Sequence, residues 1–150
     1  MRILVTGANG YLGKGVVEQL LDNGSEVIAT DFADSFIDKR AKVICGDIFS
    51  MEDPYTELGK PDLLLHMAWR DGFVHNSINH IKDLPRHYEF ITKMINSGIK
   101  QVAVMGSMHE IGFYEGSINE NTPCNPQSLY GISKNALREL VELECKNKDV

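Results

Sequence analysis

The chain has few of the residues that mark membrane, metal-binding or disulfide-stabilised proteins. No apolar stretch approaches the ~20 residues needed to cross a bilayer. The three cysteines, Cys45, Cys124 and Cys145, are widely spaced and form no C-x-x-C pair, which favours reduced packing cysteines of a cytoplasmic protein. The five histidines show no H-x-x-x-H or Cys–His spacing, so the sequence predicts no metal site.

Positive charge is also scarce. The net charge at pH 7 is −6 and no basic run occurs, which argues against a nucleic-acid partner. Hydrophobic residues make up 43% and charged residues 24% of the chain, as in ordinary globular proteins. A length of 150 residues predicts one domain with a sizeable core.

The first fifteen residues, MRILVTGANGYLGKG, combine an apolar strand, three glycines at intervals of three, and the start of an amphipathic helix. The N–H groups of such a helix start can hold a pyrophosphate. An ordinary glycine-rich turn is the alternative, but the strand–turn–helix context favours a dinucleotide site. The residues predicted to contact the phosphates are Gly7, Gly10, Tyr11, Leu12 and Gly13.

A second apolar run ends at Asp31, eighteen positions after Gly13. A carboxylate about 20 residues beyond the glycines can accept hydrogen bonds from the adenosine ribose. It also repels a 2′-phosphate, and no arginine follows it directly, since Arg40 lies nine residues later. The position therefore favours NAD over NADP, although a solvated loop aspartate would fit the same pattern.

Apolar runs and polar segments alternate along the rest of the chain. This alternation predicts an α/β fold, a doubly wound parallel sheet with helices on both faces. The predicted strands span residues 2–6, 26–30, 42–45, 62–68 and 101–105. The predicted helices begin near residues 12, 50, 84 and 128, and residues 70–83 and 108–125 are predicted to be loops.

The last helix carries Tyr130 and Lys134, which are four residues apart and therefore project from one helical face. An ammonium group near a phenol stabilises the phenolate, which can then exchange a proton with an alcohol. Ser107, at the end of the fifth predicted strand, could hydrogen-bond the same oxygen. A tyrosine–lysine pair on a solvated helix face is the alternative, and a strand-end serine following a nucleotide loop favours the catalytic interpretation.

Five segments in this order, TGANGYLG, GDI, HMAW, MGSMHEIG and SLYGISK, resemble the extended short-chain dehydrogenase/reductase family. The Gly-x-x-Gly-x-x-Gly spacing is similar to the NAD-dependent nucleotide-sugar epimerase/dehydratase branch. The resemblance covers essentially the whole chain. It implies a Rossmann fold with Tyr130 as acid/base, Lys134 on the nicotinamide ribose and beside the phenol, and Ser107 on the reacting oxygen.

The same resemblance implies further cofactor contacts and a possible homodimer. It places Asp47 and Ile48 at the adenine, and Met67, Ala68 and Trp69 along the cofactor. The implied substrate is a nucleotide-sugar. Dehydratases of this branch carry an acidic pair beside the serine, and this chain has Met108-His109 there, so epimerisation or reduction is favoured over dehydration.

Length is the main departure from the family. Its members continue with a further strand and a C-terminal substrate region, so residues 1–150 are expected to be an NAD-binding domain that carries the catalytic residues without the substrate domain. A fragment of a longer enzyme is favoured, and little turnover is expected from this chain alone. A non-catalytic dinucleotide-binding or redox-sensing module of the same fold remains the alternative.

Overall fold

The chain forms five short strands and four helices, with a helix after every strand except the second, and two single 3₁₀ turns. The computed structural model describes residues 1–150. The strands are β1 (Arg2–Thr6), β2 (Glu26–Asp31), β3 (Lys42–Cys45), β4 (Leu63–His66) and β5 (Gln101–Val104). The helices are α1 (Tyr11–Asp22), α2 (Pro54–Glu57), α3 (Asn79–Asn96) and α4 (Leu129–Lys148), and the 3₁₀ turns are Ile48–Ser50 and Met108–Glu110.

All strand pairs are parallel, in the order β3-β2-β1-β4-β5. β1 lies at the centre, where Thr6 is opposite Thr30 on one side and His66 on the other. Connections that run first to one edge and then to the other produce this order, which is the doubly wound arrangement predicted from the alternating pattern. The prediction of the fold class is confirmed.

Helices cover both faces of the sheet, which explains why the central strands are continuous apolar runs. Ile3 and Val5 point to one face and pack with Val17 of α1. Leu4 points to the opposite face, in the larger core cluster that includes Phe90 of α3 and Leu137 of α4. Each of these core side chains is at most 3% exposed.

Helix α3 begins at Asn79, and the prediction of a loop up to residue 83 with a helix start at residue 84 is therefore wrong. Proline is best tolerated in the first helical turn, but Pro85 lies further inside α3. The structure continues the helix upstream because the Asp71 carboxylate accepts hydrogen bonds of 2.7 Å from both Asn79 and Ser77. These bonds hold the pKa of Asp71 below its usual value.

The prediction of a helix that starts near residue 50 is also wrong, because the helix in this segment begins at Pro54. The chain forms a 3₁₀ turn capped by Asp47, then one α-helical turn in which Asp53 accepts a hydrogen bond from the Thr56 amide. Pro54 occupies the first position of that turn, where its missing N–H has no cost. Two separate caps thus divide a segment that the sequence presents as one helix.

Candidate functional site

A cavity of about 720 Å³ lies above the carboxyl ends of the strands, where the sheet order reverses. Open α/β sheets bind their ligands at this position. The predicted cofactor-binding residues that line it are Gly7, Gly10, Tyr11, Leu12, Gly13, Asp31, Met67, Ala68 and Trp69. Side chains that the sequence did not single out also contribute, among them Phe49, Arg70, Arg86, His87 and Met105.

The glycine loop packs tightly against the end of β4 and the start of α1, because no side chain fits at Gly7 or Gly13. Gly7 has φ +68°, and a Cβ on it would lie 2.7 Å from the Ala68 nitrogen. A Cβ on Gly13 would lie 2.1 Å from the Gly7 carbonyl oxygen. Gly10 caps α1 without a side-chain hydrogen bond, so the first amides of α1 remain free to donate. This helix start fits a pyrophosphate.

Asp31 ends β2 beside the glycine loop. One of its carboxylate oxygens accepts a hydrogen bond of 2.9 Å from the Asn9 amide, and the other accepts one of 2.8 Å from the Phe32 amide. These two amides fix the carboxylate at the cavity edge. An oriented anion at this end of the cavity suits the hydroxyl pair of a ribose.

Asp47 and Ile48 do not line the cavity. Asp47 accepts hydrogen bonds from the Phe49 amide and from Arg86, each 3.0 Å long. Ile48 is 7% exposed and belongs to the core. The neighbouring Phe49 lines the cavity instead, so the predicted adenine contact of Asp47 and Ile48 stays a prediction.

Lys134 is buried against two residues of the cavity wall. Its ammonium donates a hydrogen bond of 2.7 Å to the Met105 carbonyl and lies 4.3 Å from the centre of the Trp69 ring. Burial lowers the pKa of Lys134 to about 8, although Glu110 opposes the shift. The lysine itself does not line the cavity, and it reaches the cavity wall through Trp69 and Met105.

Replacing Lys134 with Met is expected to raise the free energy of unfolding at pH 7 by about 1–2 kcal/mol. The lowered pKa means that burial on folding disfavours the charged form of Lys134 by roughly 3 kcal/mol, a cost that the methionine variant does not have. The variant also loses the hydrogen bond to the Met105 carbonyl, which reduces this gain in stability by about 1 kcal/mol. Because the unfolded chain keeps its proton up to a higher pH, the wild-type protein should gain stability from about pH 8 towards 10.5, whereas the variant lacks this gain.

Urea unfolding at pH 7 and pH 9 measures the difference. Lys146, exposed near the end of the same helix, provides the matched Lys146→Met control, which should leave the pH dependence unchanged. Equal pH dependence in the wild type and Lys134→Met would contradict a buried, charged lysine.

Tyr130 lies in the first turn of α4, where Ser128 caps the helix through the Gly131 amide. Three imidazole rings surround the half-buried phenol ring, with centroid distances of 5.9 Å to His75, 5.2 Å to His80 and 5.3 Å to His109. The Trp69 ring meets it edge-on at 6.1 Å. Trp69 therefore contacts both Tyr130 and Lys134 and connects them to the cavity.

Ser107 caps the 3₁₀ turn after β5. Its hydroxyl accepts a hydrogen bond of 3.2 Å from the His109 amide, and its own amide donates to Glu110. No hydrogen bond links the Tyr130 hydroxyl to Ser107 or Lys134 in this structure. A second cavity of about 470 Å³ begins here, and its lining includes His75, His109 and Ser128. Ser107 thus contacts His109, Lys134 contacts Trp69, and Tyr130 lies next to both rings.

The inward face of α3 was not predicted from the sequence. Asp83, Arg86 and His87 all line the cavity at positions i, i+3 and i+4, a helical spacing that could have identified them. Asp83 pairs with Arg70 at 2.8 Å and with Arg86 at 3.5 Å.

None of the helices combines the length and hydrophobicity that crossing a membrane requires, and no three potential ligand side chains converge to hold a metal ion.

The parallel sheet, the glycine loop at its switch point and the cavity above it are features of the dinucleotide-binding class of α/β proteins. A family model for the NAD dependent epimerase/dehydratase family matches residues 3–150, and the chain belongs to this family. The resemblance inferred from the motifs is confirmed, and so is NAD as the cofactor of the family.

One relative is the dTDP-6-deoxy-L-talose 4-dehydrogenase (NAD(+)) of Aggregatibacter actinomycetemcomitans, which is 45% identical over 145 residues, 93% of this chain and 53% of that protein. A putative UDP-glucose 4-epimerase of Methanocaldococcus jannaschii is 28% identical and is matched over 50% of its length. The chain thus spans about half the length of the curated relatives it matches.

Solved structures show the same fold at lower identity. The UDP-glucose 4-epimerase of Thermotoga maritima, solved with UDP-glucose, superposes with a TM-score of 0.85 at 23% identity, over 100% of this chain and 53% of that one. MoeE5 in complex with UDP-glucose and NAD gives 0.82 at 24% identity, over 97% of this chain and 49% of that one.

Proposed function

We propose that the protein acts at full length as an NAD-dependent oxidoreductase or epimerase on a nucleotide-sugar, with Tyr130 as general acid/base. The observation that carries the proposal is the position of Trp69, whose ring lines the cavity and contacts both Tyr130 and Lys134. A 45% identical relative named for a dTDP-sugar and NAD(+) supports the same class of substrate and cofactor.

The residues at the cavity fit NAD. The free amides of α1 suit the pyrophosphate, and the close packing at Gly7 and Gly13 holds this helix start against the glycine loop. The Asp31 carboxylate suits the adenosine ribose and disfavours a 2′-phosphate by charge repulsion. Met67, Ala68 and Trp69 would then contact the nicotinamide half, and Lys134 would reach its ribose.

When bound, NAD supplies the acceptor for a hydride from a sugar carbon, so the alcohol is oxidised to a ketone as the NAD is reduced. Tyr130 takes the hydroxyl proton in the same step. The Lys134 ammonium stabilises the phenolate electrostatically, and Ser107 donates a hydrogen bond to the reacting oxygen. In an epimerase, Tyr130 would also return the proton to the same oxygen, serving first as base and then as acid.

Dehydration is disfavoured by the chain after Ser107. The acidic residue there, Glu110, is 5% exposed. Its carboxylate accepts a hydrogen bond from the Ser107 amide and lies 3.3 Å from Nε of Arg138. A carboxylate engaged in this way is not free to remove a proton from a substrate. The second cavity, beside Tyr130 and lined by His75 and His109, is the proposed position of the sugar.

In the proposed domain arrangement, residues 1–150 carry the cofactor-binding and catalytic residues. The substrate-binding region corresponds to the half of the relatives that this chain does not match. A homodimer that uses the Tyr130 helix, as the family resemblance implies, is part of the same proposal, as is a cytoplasmic location.

A panel of dTDP- and UDP-sugars tests the function with the full-length protein. The formation of NADH absorbance in the presence of NAD would show net oxidation, and NMR of the sugar would show epimerisation without net NADH. We expect one nucleotide-sugar to react, with NAD preferred over NADP. Tight NADH binding with no reaction across the panel would instead support a dinucleotide-binding module.

A further inference from the structure

A chain of buried hydrogen bonds connects the end of β1 to the cavity. The Thr6 Oγ1 atom lies 3.1 Å and 3.2 Å from the backbone nitrogens of Met67 and Ala68, and 2.9 Å from Nδ1 of His66. Nε2 of His66 lies 2.8 Å from Nδ1 of His87. Thr6, His66 and His87 are 0%, 1% and 2% exposed, so water does not compete for these bonds.

The backbone sets the direction of every proton in this chain. A threonine hydroxyl has two acceptor sites and one donor. The Ala68 amide donates to Oγ1 of Thr6, and the Met67 amide is shared between Oγ1 and the Thr6 carbonyl oxygen, which lies 3.3 Å away. This arrangement leaves the hydroxyl proton of Thr6 to be donated to Nδ1 of His66. His66 then carries its proton on Nε2 and donates it to Nδ1 of His87. The remaining proton of neutral His87 is therefore on Nε2.

Both imidazoles are held neutral. Burial lowers the pKa of His66 well below its ordinary value, and the charges of His87 and Lys134 act in the same direction. Burial lowers the pKa of His87 to about 3, with Lys134, Arg86 and Arg70 adding to the shift and Asp83 opposing it. Neither ring gains a second proton near neutral pH, so the proton positions stay fixed.

The His87 ring is also held in place. It stacks on Trp69 with centroids 4.4 Å apart and planes 13° apart, and Phe49 meets it edge-on at 4.8 Å. The residue lines the cavity, and its Nε2 has no hydrogen-bond partner within the protein. This nitrogen is accessible from the cavity, so an acceptor oxygen of a ligand can take the place of water as its hydrogen-bond partner.

We propose that His87 is a cofactor-binding residue whose Nε2–H donates to an acceptor oxygen of the bound dinucleotide, and that Thr6 and His66 are the positioning residues that keep this proton on Nε2. The inference rests on the proposed function, because the dinucleotide is the ligand of that cavity. Phosphate, ribose and carboxamide oxygens are all acceptors, so the shared chemistry is a hydrogen bond from a neutral donor. A neutral donor also adds no charge beside the Arg70–Asp83–Arg86 cluster.

Long-range ¹H–¹⁵N NMR of the full-length protein, labelled with ¹⁵N-histidine, tests the proton positions directly. His66 and His87 should both be neutral Nε2–H tautomers at pH 6 and pH 8. The signal that disappears in the His87→Phe variant belongs to His87. Adding NADH should move the His87 Nε2–H proton signal downfield and slow its exchange. A protonated His87 at pH 6, an Nδ1–H tautomer, or an unmoved signal under saturating NADH would overturn the proposal.

Variants measure the contribution to affinity by NADH titration. His87→Phe keeps the stacking and loses the donor, and should weaken NADH binding roughly 3- to 10-fold. Thr6→Val should shift the His87 tautomer and weaken binding, and the conservative Thr6→Ser should restore both. Thr30→Val is the matched control, because Thr30 faces Thr6 across the sheet with a buried hydroxyl that has no partner.

The titration separates failure of this inference from failure of the proposed function. If NADH does not bind the wild-type protein at all, the proposed function fails. If NADH binds the wild type and His87→Phe equally while the His87 signals stay unchanged, only the role of His87 is refuted. Equal loss of NADH affinity in Thr30→Val and Thr6→Val would show a packing effect and would refute the positioning role of Thr6 and His66.

Discussion

Replacing Tyr130 with Phe in the full-length protein is expected to lower kcat by about 10²- to 10⁴-fold, the usual contribution of a positioned acid/base group. The phenylalanine ring preserves the packing against Trp69, His80 and His109, and removes only the hydroxyl. NADH binding should therefore change less than about 3-fold, so the loss appears in turnover and not in cofactor affinity.

The measurement is steady-state turnover with a nucleotide-sugar substrate, together with an NADH titration of the same variant. Tyr114→Phe is the matched control, because Tyr114 is 43% exposed and its hydroxyl makes no hydrogen bond in the structure. Full activity in Tyr130→Phe would refute the acid/base role and leave Tyr130 and Lys134 as residues that position the cofactor.

The positions of the strands were predictable because their signal is local. β1 and β3 have the predicted bounds, β2 extends one residue further, to Asp31, and β4 and β5 are shorter than predicted, ending at His66 and Val104. A strand buried on both faces of a parallel sheet needs consecutive apolar residues, and this pattern needs no knowledge of distant partners. The glycine loop is local in the same sense, since its strand, turn and helix follow one another within the first fifteen residues.

The start of α3 was not predictable in this way. It depends on Asp71, whose hydrogen bonds to Ser77 and Asn79 extend the helix ahead of Pro85. Proline is best tolerated in the first helical turn, and only the hydrogen bonds from the preceding loop show that α3 has already begun before Pro85. The error shortened the predicted helix and did not alter the topology.

In the candidate site too, the residues with a local sequence signal were predicted and those that depend on distant contacts were not. The cavity residues that follow β1, β2 and β4 were predicted because strand ends in a parallel sheet meet at one edge. The buried partners of His66, Thr6 and His87, lie 60 and 21 residues away from it in the sequence. Hydrogen bonds over such separations leave no local pattern, so this hydrogen-bonded chain could be found only in the structure.

The second large effect is expected from Gly13→Ala in α1. The added methyl would lie 2.1 Å from the Gly7 carbonyl oxygen and 2.9 Å from the Ala8 Cα, both backbone atoms of the glycine loop. Backbone cannot move aside as a flexible side chain can, so the loop and the helix start must separate. We expect a loss of about 3 kcal/mol in the free energy of unfolding.

The same displacement should weaken NADH binding about 100-fold, because the amides of α1 would no longer converge on the pyrophosphate, and two charge-assisted hydrogen bonds would be lost or lengthened. Trp69, the only tryptophan, lies in the cavity wall, so its fluorescence follows the binding. Urea unfolding monitored by circular dichroism gives the stability of the unliganded variant separately.

Gly15→Ala is the control that makes the prediction specific. Gly15 lies on the same helix, and a Cβ added there meets nothing within 4 Å. Alanine is a better helix former than glycine by about 1 kcal/mol, so this variant should be slightly more stable and should bind NADH normally. Two identical substitutions, two residues apart, are thus expected to act in opposite directions. If Gly13→Ala matched Gly15→Ala in both stability and NADH binding, then the close approach of helix and loop would not be what forms the nucleotide site.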